Sequence, residues 1–273
     1  MKIFSVVGYS NSGKTTFVKK ISDFLDGRVG VVKNLHRFEK KGKNTGKLIE
    51  SADRVVAAAE ERTYNIKTSK NPLEDSLNEL LGEVDYAILE GGKDSDFPKI
   101  ALGEEVVGDC NGERFLVLEE KPDFEEEKGA IVNFIKNESL ERVNYREIVR
   151  KMKKGPKLDK AGAIGGFTGI VRGFRDGEKV KKLVFEKFEE KSELEIEKIE
   201  EELRSKEGII DVKIYHREGE LDVGEDIVYV VVAAEHREEL FEAVEKGINL
   251  VKERAPIWKK EILVDGESWV HDL

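Results

Sequence analysis

Eight residues near the start constrain this chain more than any other stretch. Gly8-Tyr9-Ser10-Asn11-Ser12-Gly13-Lys14-Thr15 fits the pattern G-x-x-x-x-G-K-[ST]. Two glycines let the backbone turn tightly, so that successive N–H groups converge on one point. A helix starting there turns its positive end to the same point. The product is a phosphate cradle, a P-loop. Gly8, Ser10, Asn11, Ser12, Gly13 and Thr16 form it, Lys14 reaches the β- and γ-phosphates, and Thr15 offers its hydroxyl to Mg²⁺. The flanks agree: Ile3–Val7 predicts a strand and Thr15–Leu25 a helix.

The first half continues in that alternating manner. Arg28–Val32 reads as a strand, Asn71-Pro72 opens a helix running to about Leu81, Val84–Leu89 is a further strand, and Ala130–Lys136 a closing helix. Such alternation predicts an α/β domain with a largely parallel sheet. Ligands of such sheets lie beyond the carboxyl ends of the strands. Gly8 and Glu90 both follow their strands and share that edge, whereas Asp85 stands at the other end. Glu90 is therefore the expected acid holding a metal-bound water, against a plain strand-end turn with Gly91-Gly92. Lys33 and His36 follow the second strand on the same edge, as solvated loop residues or as phosphate or metal contacts.

A polar passage at Asn137–Asn144 separates this half from a different pattern. The helix Tyr145–Met152 leads into strands Ala163–Arg172 and Val180–Phe185 flanking Asp176-Gly177, a hairpin signal. A charged helix Ser192–Leu203, strands Asp211–His216 and Ile227–Ala234, and a helix Arg237–Lys252 ended by Pro256 follow. Lys259–Val264 and Ser268–Val270 bracket the turn Asp265-Gly266. Hairpins mixed with two helices predict an α+β domain. The expected domains are residues 1–138 and 143–273, and 273 residues suffice for two cores.

Composition narrows the function classes. The net charge is −10, which argues against general nucleic-acid binding. No apolar run approaches the ~20 residues of a membrane helix. Apolar Met1–Val7 is followed at once by Gly8, Ser10, Asn11 and Lys14, unlike a signal peptide, so a cytoplasmic chain is expected. The single cysteine, Cys110, has no disulfide partner within the chain, and reads as a small loop residue or a reactive thiol. Charged residues reach 38%, with two Met and no Gln, the Glu/Lys-rich habit of hyperthermophile proteins.

Several first-half segments resemble the MobB family. They are Val32-Lys33-Asn34-Leu35-His36, Gly42-Lys43-Asn44-Thr45, Ile88-Leu89-Glu90-Gly91-Gly92-Lys93 and Pro98-Lys99-Ile100. That resemblance, over roughly residues 1–138, implies a GTP-binding protein associated with guanine dinucleotide formation on molybdopterin, with GTP and Mg²⁺ as ligands. The guanine reader Asn-Lys-x-Asp is absent, and the stretch after Val117 departs from the family pattern. GTP over ATP thus follows from the resemblance alone.

The second half gathers cations in an acidic chain: Arg172, His236-Arg237, and Lys252, Arg254, Lys259 and Lys260 around Ala255-Pro256-Ile257-Trp258. Composition alone would leave them as scattered surface charges. The motifs Gly162-Ala163-Ile164, Phe167-Thr168-Gly169-Ile170-Val171-Arg172, His216-Arg217-Glu218-Gly219-Glu220-Leu221, Gly224-Glu225, His236-Arg237 and Lys252 to Glu261 resemble, in order, the MoaE family. That family is the large, catalytic subunit of molybdopterin synthase. The resemblance implies an enzyme inserting two sulfurs into cyclic pyranopterin monophosphate. The sulfur comes from the thiocarboxylated C-terminal Gly-Gly of a ubiquitin-like small subunit. It also implies a homodimer through the C-terminal domain, Lys252 and Lys259 as catalytic residues, and Ile170, Val171, Arg172, His236, Arg237, Lys260 and Glu261 as substrate-binding ones. The His-Arg pair would come from a second subunit. His216 fits the motif but reads as structural. Arg254 and Lys260 are expected to crowd the two catalytic amines electrostatically. The alternative is a nucleotide-controlled adaptor that docks the sulfur carrier without catalysing transfer.

Overall fold

The computed structural model describes residues 1–34, 54–59, 62–175, 177–263 and 267–270. His36 and Gly42–Thr45 lie outside the described residues, as do Asp176 and Asp265-Gly266. The chain divides into two compact units, Met1–Arg142 and Val143–Leu273. No described helix is long and apolar enough to cross a membrane.

In the first unit the order is β1 (Lys2–Gly8), α1 (Lys14–Phe24), β2 (Val29–Lys33), β3 (Arg54–Ala59), β4 (Arg62–Lys67), α2 (Pro72–Leu80), β5 (Tyr86–Glu90), β6 (Lys99–Leu102), β7 (Phe115–Leu118), α3 (Phe124–Asn137) and β8 (Leu140–Glu141). The sheet runs β2-β5-β1-β6-β7 with every neighbouring pair parallel. Strand alternation splits the apolar side chains between two faces. Phe4, Val6, Ile88 and Ile100 meet Phe17 and Ile21 of α1 and Ile131 of α3, while Ile3, Ala87 and Leu89 meet Leu77 of α2. Each of these side chains larger than Ala, once buried, contributes roughly 1.5–3 kcal/mol.

The α/β reading holds, with local differences. α3 begins at Phe124, ahead of the expected Ala130. Asp123 accepts a hydrogen bond from Glu125 N (2.9 Å), and Glu125, Glu126 and Glu127 face the positive helix end. Asn71 stands at the N-cap of α2 without a side-chain cap bond. The hairpin β3–β4 and the strands β6 and β7 carry too short a pattern to be read beforehand. β8 pairs antiparallel with β1 (Ile3↔Leu140), and Arg142 forms a fork on Glu74 (2.6 and 3.0 Å). Residues 139–142 thus pack within the first unit, beyond the expected boundary at 138.

The second unit contains α4 (Tyr145–Met152), β9 (Ala163–Ile170), β10 (Phe174–Arg175), β11 (Glu178–Lys187), α5 (Glu189–Arg204), β12 (Ile209–His216), β13 (Gly219–Asp222), β14 (Asp226–Ala234), α6 (Arg237–Arg254), β15 (Ile257–Leu263) and β16 (Glu267–Val270). All its pairings are antiparallel, in a sheet β12-β14-β9 and a sheet β10-β11-β15-β16 with β13 also on β11. The α+β expectation is met. One pairing differs from it. β11 pairs with the two-residue β10, while the long strand β9 pairs with β14 in the other sheet. The charged helix α5 has an inner apolar face. Ile199 and Leu203 are buried, and buried Glu200 accepts from Ile214 N (2.8 Å).

Candidate functional site

The first unit builds a phosphate cradle at the carboxyl edge of its sheet. Asn11 (φ 67) and Gly13 (φ 88) take the left-handed conformation that curls the loop inward. A Cβ on Gly8 would run into the Ser12 hydroxyl. Ser10, Asn11, Thr15 and Thr16 are exposed along the loop and the first turn of α1. Ser12 is buried, and its Oγ has no hydrogen-bond partner among the described residues. A buried hydroxyl without a partner is costly unless something else meets it. Lys14 Nζ donates to the carbonyls of Gly8 (2.8 Å) and Tyr9. Burial, together with the neighbouring Lys93 and Lys33, holds that ammonium below the usual lysine range, although Glu90 opposes the shift.

Parallel register sets Glu90 beside Val6 of β1 and Lys33 of β2. Thr15 Oγ1 donates to Glu90 Oε1 (2.7 Å), and Lys33 Nζ lies 2.9 Å from the same oxygen. Burial pushes the Glu90 carboxyl up, but the Thr15 hydroxyl and the Lys33 ammonium outweigh it and hold it below the carboxylate norm. Asp85 is at the opposite end of the sheet, where it accepts from Arg28 N (2.9 Å). Glu90 is thus an ionised acid beside the Thr15 hydroxyl. The curled loop, orphaned Ser12 hydroxyl and Thr15–Glu90 pair together fit a Mg²⁺-bound nucleotide. Among the described residues no group of three or more His, Cys, Asp or Glu could hold a metal without it.

The second unit holds a cavity of about 520 Å³, walled by β9, β11, α6 and β15. Ile170, Arg172, Lys252, Lys259 and Glu261 line it. Glu261 is buried on the inner face of β15. One carboxylate oxygen lies 3.0 Å from Arg175, the other 3.4 Å from Lys259. Arg172 and Lys252 have no ion-pair partner among the described residues. The cavity therefore presents more positive charge than its single acid cancels, although the whole protein is acidic.

Four expected residues do not line this cavity. Val171 is buried in the apolar cluster with Leu183 and Leu221. Lys260 alternates to the opposite face of β15 from Lys259 and Glu261. His236 precedes α6 and Arg237 pairs with Glu238 (2.8 Å), both at the far end of the helix from Lys252. Fifteen residues of helix separate Arg237 from Lys252, about 22 Å. Arg175 is an addition that sequence reasoning missed, and the repeat Arg172-x-x-Arg175 was its only signal. His216 also lines the cavity. Its Nδ1 donates to the Arg217 carbonyl (2.6 Å), and its ring meets Phe185 edge-on at 4.9 Å.

The turn between the two lysines is anchored on α5. Buried Ser192 donates to Pro256 O (2.9 Å), and Arg254 reaches Glu195 Oε1 (2.8 Å) and Glu202 Oε2 (2.8 Å). The expected crowding of the catalytic amines by Arg254 and Lys260 is accordingly not built. Two carboxylates neutralise the first, and strand alternation turns the second away.

Comparison with known proteins agrees with this division. Residues 3–118 match the family model of molybdopterin guanine dinucleotide synthesis protein B, and residues 137–254 match that of the MoaE protein. A probable molybdopterin synthase of Haloferax volcanii is 34% identical over 277 residues, covering 98% of this chain and 99% of that protein. The chain belongs to the molybdopterin synthase family. It is an enzyme of that family, a MobB-like domain fused to a MoaE-like molybdopterin synthase domain. The molybdopterin synthase catalytic subunit of Pyrococcus abyssi is 44% identical over 109 residues, 40% of this chain and 74% of that subunit. A solved molybdopterin synthase from Staphylococcus aureus, 32% identical, covers 48% of this chain and 93% of its own, with a TM-score of 0.43.

Proposed function

We propose that the C-terminal domain transfers sulfur from the thiocarboxylated C-terminal Gly-Gly of a ubiquitin-like small subunit to cyclic pyranopterin monophosphate, forming the dithiolene of molybdopterin. The observation carrying this reading is the convergence of Lys252, Lys259 and Arg172 in one cavity in a fold of this family. Lys259, tied to Glu261, holds the substrate phosphate. Lys252, with no carboxylate partner among the described residues, is the amine that accepts a proton or attacks the acyl carbon, forming a C–N bond as the C–S bond breaks and the sulfur leaves for the pterin. Arg172 supplies a planar fork for phosphate. Ile170 lines the apolar wall, and Val171 is packed in the core beside it. His236 and Arg237 enter the cavity of a second copy, because their own lies a helix length away.

The test is single-turnover sulfur transfer from a thiocarboxylated small subunit. Lys252→Arg should abolish turnover with the small subunit still bound, whereas Lys259→Arg should mainly raise KM. Near-normal kcat in both variants would leave the lysines as charges only and overturn the mechanism. It would also favour the adaptor reading.

For the N-terminal domain the same proposal assigns GTP with Mg²⁺. Gly8 to Thr16 would wrap the phosphates, and Thr15 and Glu90 would hold the metal. Mg²⁺ would supply neutralisation of the phosphate charge. Hydrolysis should be slow, as the chain has no Gln to orient water. Isothermal titration of wild type and Lys14→Ala with GTP and ATP is the check, and equal affinities in wild type and variant would defeat it.

A further inference from the structure

We propose that Lys93 is a second phosphate ligand of the nucleotide site, lent to the outermost phosphate of a triphosphate and otherwise held by Asp109. This rests on the nucleotide reading above and adds a residue that discriminates triphosphate from diphosphate.

Gly91 (φ 97) and Gly92 (φ 77) turn the chain off β5 just beyond Glu90, at the ligand edge of the sheet. Behind them the loop is pinned. Ser95 Oγ and N both donate to Gly92 O (2.7 and 3.1 Å), and Asn111 N donates to Lys93 O (2.8 Å). The Lys93 backbone is thereby fixed, and its side chain runs back to the P-loop. Its ammonium lies 4.3 Å from the centre of the Tyr9 ring and 3.0 Å from Asp109 Oδ2. Tyr9 is the second residue of the P-loop, and its hydroxyl donates to the same Asp109 oxygen (2.9 Å). Its carbonyl accepts from Lys14. Lys93 is therefore one loop residue away from the ammonium that meets the phosphates, and close enough to depress it.

Lys14, Lys33 and Lys93 thus gather at this loop, with Lys121 packed against Gly13, in a protein of net charge −10. Lys33 is committed to buried Glu90, but Lys93 is bound to a carboxylate that is half exposed. Exposed ion pairs are weak and easily exchanged. A terminal phosphate carries more charge than Asp109 and can take the ammonium from it. The Tyr9 ring then serves as a rail that keeps the cation alongside the loop during the exchange.

The experiment is calorimetric titration of the full chain with GTP and GDP in Mg²⁺, for wild type, Lys93→Ala, Asp109→Asn and Lys14→Ala. Losing one charge-assisted contact should weaken GTP about tenfold in Lys93→Ala, with GDP nearly unchanged. Asp109→Asn should tighten GTP, because it releases the competitor. If Lys93 merely pins Tyr9, both variants weaken binding alike, and that result overturns the proposal. So does a Lys93→Ala loss that is equal for GTP and GDP, or no loss at all. Unaltered binding in Lys14→Ala would instead strike at the nucleotide reading itself.

Discussion

Ser12 and Glu261 are both buried polar residues, and their surroundings give them opposite consequences. The Ser12 hydroxyl is enclosed with nothing among the described residues to accept or donate to it. Ser12→Ala removes a desolvated group that makes no bond in the fold, so the thermal midpoint should stay level or rise. Nucleotide affinity should fall, because the cradle loses a donor. A clear drop in midpoint would show that the hydroxyl serves the fold. Glu261 sits between two cations instead. Glu261→Ala would leave Arg175 and Lys259 facing each other across the cavity, at a cost of about 1–3 kcal/mol. Urea unfolding measures that loss. Because Lys259 would lose its anchor, KM for the pterin should rise with it.

Helix α5 matters less for its own apolar face than for what its polar one holds. Through Ser192 on Pro256 and Glu195 and Glu202 on Arg254, it fixes the turn that separates Lys252 from Lys259. Arg254→Gln should lower kcat more than it weakens small-subunit binding, since the turn drifts while the cavity mouth remains. The pair also has a pH signature. Arg254 depresses the Glu195 carboxyl, and Lys246 followed by Arg254 depresses Glu202. Folded carboxyls with depressed values stabilise fully above the unfolded range, near ~4.3, and lose that contribution as pH falls through the folded values. The stability gap between wild type and Arg254→Gln should therefore be widest at neutral pH and close on acidification below that range. Urea midpoints at pH 7, 5, 4 and 3 decide it, and a gap independent of pH would rule out the carboxylates as its source.

The whole molecule is two units, each with its own core and its own site. A fragment of residues 1–142 should fold alone and bind nucleotide. The shorter 1–138 fragment should melt lower, having lost β8 and the Arg142–Glu74 fork. Equal melting would mean that this last strand adds nothing. Residues 143–273 should form a dimer, and the test is complementation. Mixing Lys252→Ala protomers with Arg237→Ala protomers should restore transfer that neither supports alone, because one of the two mixed cavities has both residues intact. No recovery on mixing, with each variant inactive alone, would overturn the placing of the His-Arg pair in the cavity of the second copy.

Local chemistry was legible without the fold. The P-loop pattern, the strand before it and the acid after β5 depend on residues adjacent in the chain or on a rule about sheet edges, so Gly8 to Thr15 and Glu90 could be placed from sequence. The helix α4 was readable because Asn144 caps it and its apolar spacing is regular. What remained hidden depends on distance across the fold. β9 and β11 surround a strong turn signal, yet pairing puts them in different sheets, β9 on β14 and β11 on β15. Lys259 and Lys260 are neighbours in sequence and look equivalent there, and only the strand decides which faces the cavity. Arg254 reads as another cation of the cluster until Glu195 and Glu202, over fifty residues earlier, are seen to cancel it. Sequence determined which charges the protein has. Tertiary packing decided which remain unopposed, because a charge acts through its distance to its neighbours.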